Sequence, residues 1–203
     1  EVGTGQLPNS LASLHDFTFD LEAKRWKKWT GEVPAYEPPT DGKFSSIMVP
    51  TSDTVRSTWL LDTVVTAKAA IIFIGESGTA KTVIISNYLA GLDTETNATL
   101  TMGFSSRTTS MDVQINLEAN VDKRAGNVYG PPVGKKLVVF IDDMNMPKVD
   151  TYGTQQPIAL LKLVIDKGFI YDRGKDLTIK YIKDMQFVSA MVPGRNDVDP
   201  RFV

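Results

Sequence analysis

One eight-residue stretch, Gly75-Glu76-Ser77-Gly78-Thr79-Ala80-Lys81-Thr82, constrains this chain more than any other feature. It leaves a continuous apolar run, Ala70-Ile71-Ile72-Phe73-Ile74, which reads as a strand buried on both faces. It opens a segment from Lys81 to Ala90 in which Ile84, Ile85, Tyr88 and Leu89 share one helical stripe, closed by Gly91. The stretch nearly matches G-x-x-x-x-G-K-[ST], and strand, loop and helix are the context its chemistry requires. In such a loop the backbone N–H groups cradle phosphates and the helix N-terminus adds positive potential. Lys81 would reach the terminal phosphates and Thr82 would hold Mg²⁺. Ala80 stands where the pattern has its second glycine. A Cβ there crowds the loop, and at positive φ it costs on the order of 1 kcal/mol. Taken without its neighbours, the stretch is a Gly/Ser turn.

A second apolar run, Leu137-Val138-Val139-Phe140-Ile141, ends in Asp142-Asp143. Ligands of open α/β sheets bind at the carboxyl ends of strands, which is where this places two carboxylates. Asp142 would hold Mg²⁺, directly or through water, and Asp143 would orient the attacking water. Hydrolytic P-loop ATPases of the AAA+ type usually have Glu at the second position. Asp143 is one methylene shorter, which leaves its oxygen ~1 Å short, and misplacement on that scale can cost ~100-fold in rate. On its own, an acidic pair after a strand also serves as a loop or helix cap. Past the last strand, Arg195 and Arg201 are read in two ways: as fingers toward a neighbouring module's nucleotide, or as surface residues paired with Asp197 or Asp199.

Between these motifs, strands alternate with helices. Helices are expected from Thr51 to about Thr66, from Thr109 to about Lys123 and from Pro157 to Asp166, and further strands at Thr99 to Phe104 and Gln186 to Val192. Gly126 to Lys135 is a Gly/Pro-rich excursion, and Phe169 to Tyr171 with Leu177 to Lys180 reads as a hairpin. The pattern predicts an α/β fold with a mainly parallel sheet flanked by helices. An irregular arm precedes it, with Phe17, Phe19 and Leu21 alternating like a strand. The hexad Lys24-Arg25-Trp26-Lys27-Lys28-Trp29 follows, either as a nucleic-acid stacking platform or with Trp26 and Trp29 packed and the lysines solvated. The 203 residues carry 22 Lys plus Arg against 24 Asp plus Glu, a net charge of −2 that argues against a general polyanion binder. No cysteine and one histidine, His15, exclude thiolate chemistry and disfavour a Ser-His-Asp triad. The longest apolar runs are far too short to span a membrane, and no signal peptide is visible, so a soluble intracellular protein is expected.

At these residues the chain resembles the axonemal (ciliary) dynein heavy chains, specifically the third AAA+ module of the outer-arm type. The resemblance is carried by Ile47 to Arg56, Gly75 to Thr82, Phe104 to Ser110, Val128 to Pro132, Phe140 to Pro147, Tyr152 to Pro157 and Tyr171 to Lys175. It implies the large α/β subdomain of a P-loop AAA+ module over 46–203 after an arm or linker over 1–45, with β-hairpin inserts and with the fifth strand and helical lid missing. It also implies ATP or ADP and Mg²⁺ as ligands, with Gly75 to Thr82 on the phosphates and Asp142 and Asp143 as the ion and water pair. Val49 and Pro50 would then lie near the adenine. The partners implied are neighbouring AAA+ modules and, through the full-length protein, microtubules and other dynein chains, in the cytoplasm and the cytoskeleton of a cilium or flagellum axoneme. Nucleic acid and membranes are not among them. Met191-Val192-Pro193 lacks the polar sensor, usually Asn, of many AAA+ modules. The expected activity is Mg·ATP binding with slow or regulatory hydrolysis; the alternatives are a non-hydrolysing module that relays shape change around the ring and, from the Trp-Lys cluster alone, a nucleic-acid remodelling ATPase.

Overall fold

Phe17 and Phe19 lie two residues apart, the spacing that puts both on one face of a strand. In the computed structural model, which describes residues 13–36, 38, 48–174, 176–194, 198 and 202, they sit in a hairpin. Its strands β1 (Phe17–Asp20) and β2 (Arg25–Lys28) pair antiparallel. The expected alternation stops before Leu21, because Asp20 turns the chain: its carboxylate accepts the N–H groups of Glu22 and Ala23 at 3.0 and 2.9 Å. These bonds, Ala23's foremost, and Lys27 Nζ at 2.7 Å lower the Asp20 carboxyl to about 2. The Trp-Lys hexad is therefore part of a folded hairpin. Trp26 meets Phe19 edge-on with centroids 5.2 Å apart, and Trp29, 5% exposed, meets Trp59 at 5.5 Å. Lys27 is paired and Trp29 has no open stacking face, so the packed-tryptophan reading holds, except that this lysine is not simply solvated.

The chain divides into two units, residues 1–61 and 62–203. Helix α1 (Ser52–Thr66) runs from one into the other. It starts where Thr51 and Thr54 exchange bonds, each hydroxyl accepting the other's main-chain N–H at 2.8 and 3.2 Å.

In the second unit, β3 (Ile71–Ile74) leads into α2 (Lys81–Ala90), β4 (Asn97–Gly103) and α3 (Ser110–Glu118). A short hairpin follows, β5 (Asp122–Lys123) and β6 (Val128–Gly130), then β7 (Lys136–Asp142) and α4 (Gln156–Lys167). The last elements are β8 (Phe169–Tyr171), β9 (Ile179–Ile182) and β10 (Met185–Met191). The main sheet has the order β3-β10-β7-β4 and all its pairs are parallel. β7 and β10 are central and buried, as their apolar runs require. β3 is not. Among the described residues it pairs only with β10, and Ile74 is 60% exposed, so the expected burial on both faces gives way to an edge strand. Leu137, Val139 and Ile141 of β7 pack with Val113 and Leu117 of α3 and Ile158, Leu161 and Val164 of α4. By strand alternation Val138 and Phe140, each 1% exposed, point to the opposite face, where α2 buries Ile84, Ile85 and Leu89. On that side the Tyr88 hydroxyl donates to Asp62 at 3.1 Å, and burial together with this carboxylate raises the phenol to about 12. α4 ends at Gly168, whose φ of 68 is the left-handed cap that glycine supplies.

The two expected inserts are one structure. β5-β6-β9-β8 form a second four-stranded sheet in which β6 pairs parallel with β9 and the other pairs are antiparallel. Its pairing explains why α3 ends at Glu118 and not near Lys123: Asp122 and Lys123 are taken by Gly130 and Tyr129. Lys180 of β9 ties the sheet to α3, with Nζ 3.2 Å from Glu118, 3.0 Å from Asp172 and over the Tyr129 ring. Burial alone would lower this ammonium's pKa; the two carboxylates outweigh it and raise it.

Candidate functional site

Parallel strands deliver their carboxyl ends to one edge of the sheet, so the loop after β3, the turn after β7 and the end of β10 are neighbours by construction. β10 lies between the other two. The Gly75 N–H donates to the Met191 carbonyl at 3.3 Å, and the Met144 N–H to the Ala190 carbonyl at 3.0 Å. Loop and acidic turn thus hang from consecutive residues of one buried strand.

The loop folds around Lys81. Its Nζ donates to the carbonyls of Gly75 and Glu76 at 2.8 and 2.7 Å, and Thr79 Oγ1 donates to Glu76 O at 2.8 Å. A Cβ on Gly75 would lie 3.1 Å from Thr79 Oγ1, so a larger residue there would press on the hydroxyl that donates to Glu76 O. Gly78 has φ 83 and Ala80 φ 60. The main-chain N–H groups of Glu76, Ser77, Gly78 and Ala80 have no acceptor among the described residues. A run of unpaired donors at a helix N-terminus beside an ammonium is the set of groups that phosphate binding requires.

Ala80 therefore does hold a left-handed backbone, at a cost on the order of 1 kcal/mol relative to glycine. Ala80→Gly relieves that strain and populates the ordered loop more fully. It is expected to tighten ATP binding by up to ~5-fold in an equilibrium titration. Unchanged or weaker binding would count against strain at this position.

The acids meet the loop through Thr82, whose Oγ1 donates to Asp142 Oδ2 at 2.9 Å. Asp142 is half-buried at the end of β7, and its carbonyl accepts the Phe104 N–H at 2.9 Å. Asp143 is exposed, turns the chain at φ 53 and donates its N–H to Asp142 Oδ1 at 3.0 Å. Among the described residues no three His, Asp or Glu side chains cluster for a metal. One hydroxyl beside one carboxylate fits Mg²⁺, a cation that keeps several waters and takes substrate phosphate oxygens in preference to a full protein cage.

Thr82 and Asp142 are thus in contact, Asp143 follows Asp142 in the chain, and the Lys81 ammonium stays within its own loop. Val49, 55% exposed, and Pro50 lie in the first unit just before α1. Arg195 and Arg201 fall outside the described residues. Two buried amides beside the acidic turn, Asn145 and Gln155, are 2% and 1% exposed, and residue type alone does not single them out. In the sequence Asn145 is a polar residue two positions past the acidic pair and Gln155 one two positions before Pro157.

The family described as "P-loop containing dynein motor region" matches residues 36–203. Human "Dynein axonemal heavy chain 10" is 55% identical over 202 residues, covering 98% of this chain and 4% of the relative. "Dynein-1-alpha heavy chain, flagellar inner arm I1 complex" of Chlamydomonas reinhardtii is 56% identical over 205 residues, covering 100% and 4%. Human "Dynein axonemal heavy chain 9" is 38% identical over 203 residues, covering 99% and 4%. The chain therefore spans only a small part of the length of these relatives. With an α/β sheet that joins a phosphate-type loop to an acidic strand end, and a match over most of its length, the chain belongs to the P-loop-containing dynein motor family.

Proposed function

We propose that this chain is a Mg·ATP-binding AAA+ module, over 46–203, of a ciliary dynein heavy chain, with slow or regulatory turnover. The observation that carries the reading is the 2.9 Å bond from Thr82 to Asp142, which couples the loop to the acid. Gly75 to Thr82 would hold the phosphates through main-chain N–H groups, with Lys81 exchanging its carbonyl partners for the terminal phosphate oxygens. Thr82 and Asp142 would hold Mg²⁺, which when bound neutralises charge on the phosphate oxygens. Asp143 would accept a proton from, or orient, the attacking water; its short side chain at a left-handed position supports slow chemistry over fast. Val49 and Pro50 would line the adenine, and Arg195 and Arg201 would face a neighbouring module. The assignment to the third module and the outer arm is part of this proposal, as are microtubules and other dynein chains as partners and the axoneme as location; the names of the similar proteins support the ciliary setting.

The same short, strained Asp143 favours a second reading, a module that binds nucleotide without hydrolysing it and relays shape change. Single-turnover phosphate release in the full-length heavy chain, with phosphate-loop lysines elsewhere replaced, separates the two. Slow release that Asp143→Asn abolishes is expected. No release above background, with ATP still bound, would establish the second reading instead.

A further inference from the structure

Building on the reading of Asp142 and Asp143 as the ion and water pair, we infer that Asn145 is a positioning residue for that pair, held from behind by Gln155. Three successive carbonyls at the end of β10 are each taken by a part that must be aligned. Ala190 O accepts Met144 N–H, Met191 O accepts Gly75 N–H, and Val192 O accepts Asn145 Nδ2 at 2.8 Å. The chain just after the acids and the start of the phosphate loop are therefore pinned to the same strand end. Asp143 holds a left-handed backbone at φ 53, and the tether fixes the chain two residues beyond it.

Gln155 supplies the other side of the clamp. Its Nε2 donates to the carbonyls of Asn145 and Pro147 at 3.2 and 2.9 Å, and two carbonyl acceptors decide which end of the amide faces them. Its Oε1 is buried with no hydrogen-bond partner among the described residues. A buried unpaired oxygen opposes folding, and an apolar side chain of that length would avoid it, so the amide is there for its two donors. The strand end lacks a polar side chain of its own at Met191 and Val192; Asn145 reaches that strand end from the acidic turn.

The test uses the full-length heavy chain with phosphate-loop lysines elsewhere replaced. A fluorescent ATP analogue is titrated across Mg²⁺ concentrations and in EDTA. Asn145→Asp keeps the size but turns an oxygen toward the Val192 carbonyl, and Gln155→Met keeps the length without donors. Each is expected to raise the Mg²⁺ concentration for half-maximal binding about tenfold while leaving affinity in EDTA within about twofold, as outer-shell changes do at metal sites. Gln114→Met, which removes a buried amide from α3, is expected to change neither. Unchanged Mg²⁺ dependence in both variants, or an equal loss of affinity in EDTA, overturns the positioning role. Wild-type binding that ignores Mg²⁺, or that Lys81→Ala leaves intact, instead removes the reading of the site on which the role rests.

Discussion

Replacing Lys81 with alanine is expected to weaken ATP binding at this site on the order of a hundredfold, in line with about 2–3 kcal/mol for hydrogen bonds to a charged partner. The ammonium is held by its own loop, on the carbonyls of Gly75 and Glu76, and would trade these for phosphate oxygens on binding. Its loss removes both the charge and the pin that folds the loop. Lys81→Met, which keeps the apolar stem, is expected to lose nearly as much, because the stem supplies neither. Equilibrium titration of the three proteins checks this; affinity retained by Lys81→Met would mean that the stem, not the charge, holds the loop.

The second large effect is on stability. Phe140 is 1% exposed at the centre of β7, flanked on both sides by parallel strands. Phe140→Ala is expected to cost about 3–5 kcal/mol, transfer term and cavity together, since a sheet hydrogen-bonded on both sides of this residue has little freedom to collapse. Hydrogen exchange of the β7 and β10 amides in the full-length protein reads the loss, and it should exceed that at the β1–β2 hairpin of the other unit. Unchanged protection across β7 would mean that Phe140 is not part of the main core.

What could be read ahead of the structure follows from how local each signal is. The helix from Lys81 to Ala90 has the predicted bounds, because its loop, its stripe and its terminal glycine all lie within a few residues. Gly168 ends α4 for the same reason. The acidic pair was placed at a strand end by the apolar run before it. An apolar run does not state its neighbours, however: the run from Ala70 to Ile74 reads as a strand buried on both faces, and β3 lies at the sheet edge. The pairing of β6 with β9, which fuses two inserts into one sheet and cuts α3 short, depends on residues about 50 positions apart. Asn145 and Gln155 were invisible as site residues because their partners are main-chain carbonyls that only the fold brings near.

In the proposed module the loop at Lys81 and the acid at Asp142 grip one Mg·nucleotide between them. Electron paramagnetic resonance of Mn²⁺ in place of Mg²⁺ tests it directly in the full-length chain with its other phosphate-loop lysines replaced. Bound Mn²⁺ that appears only with ATP, and is lost in Asp142→Ala and weakened in Thr82→Ala, is the predicted result. Mn²⁺ that binds with ATP equally well in both variants would mean that Thr82 and Asp142 do not hold the ion.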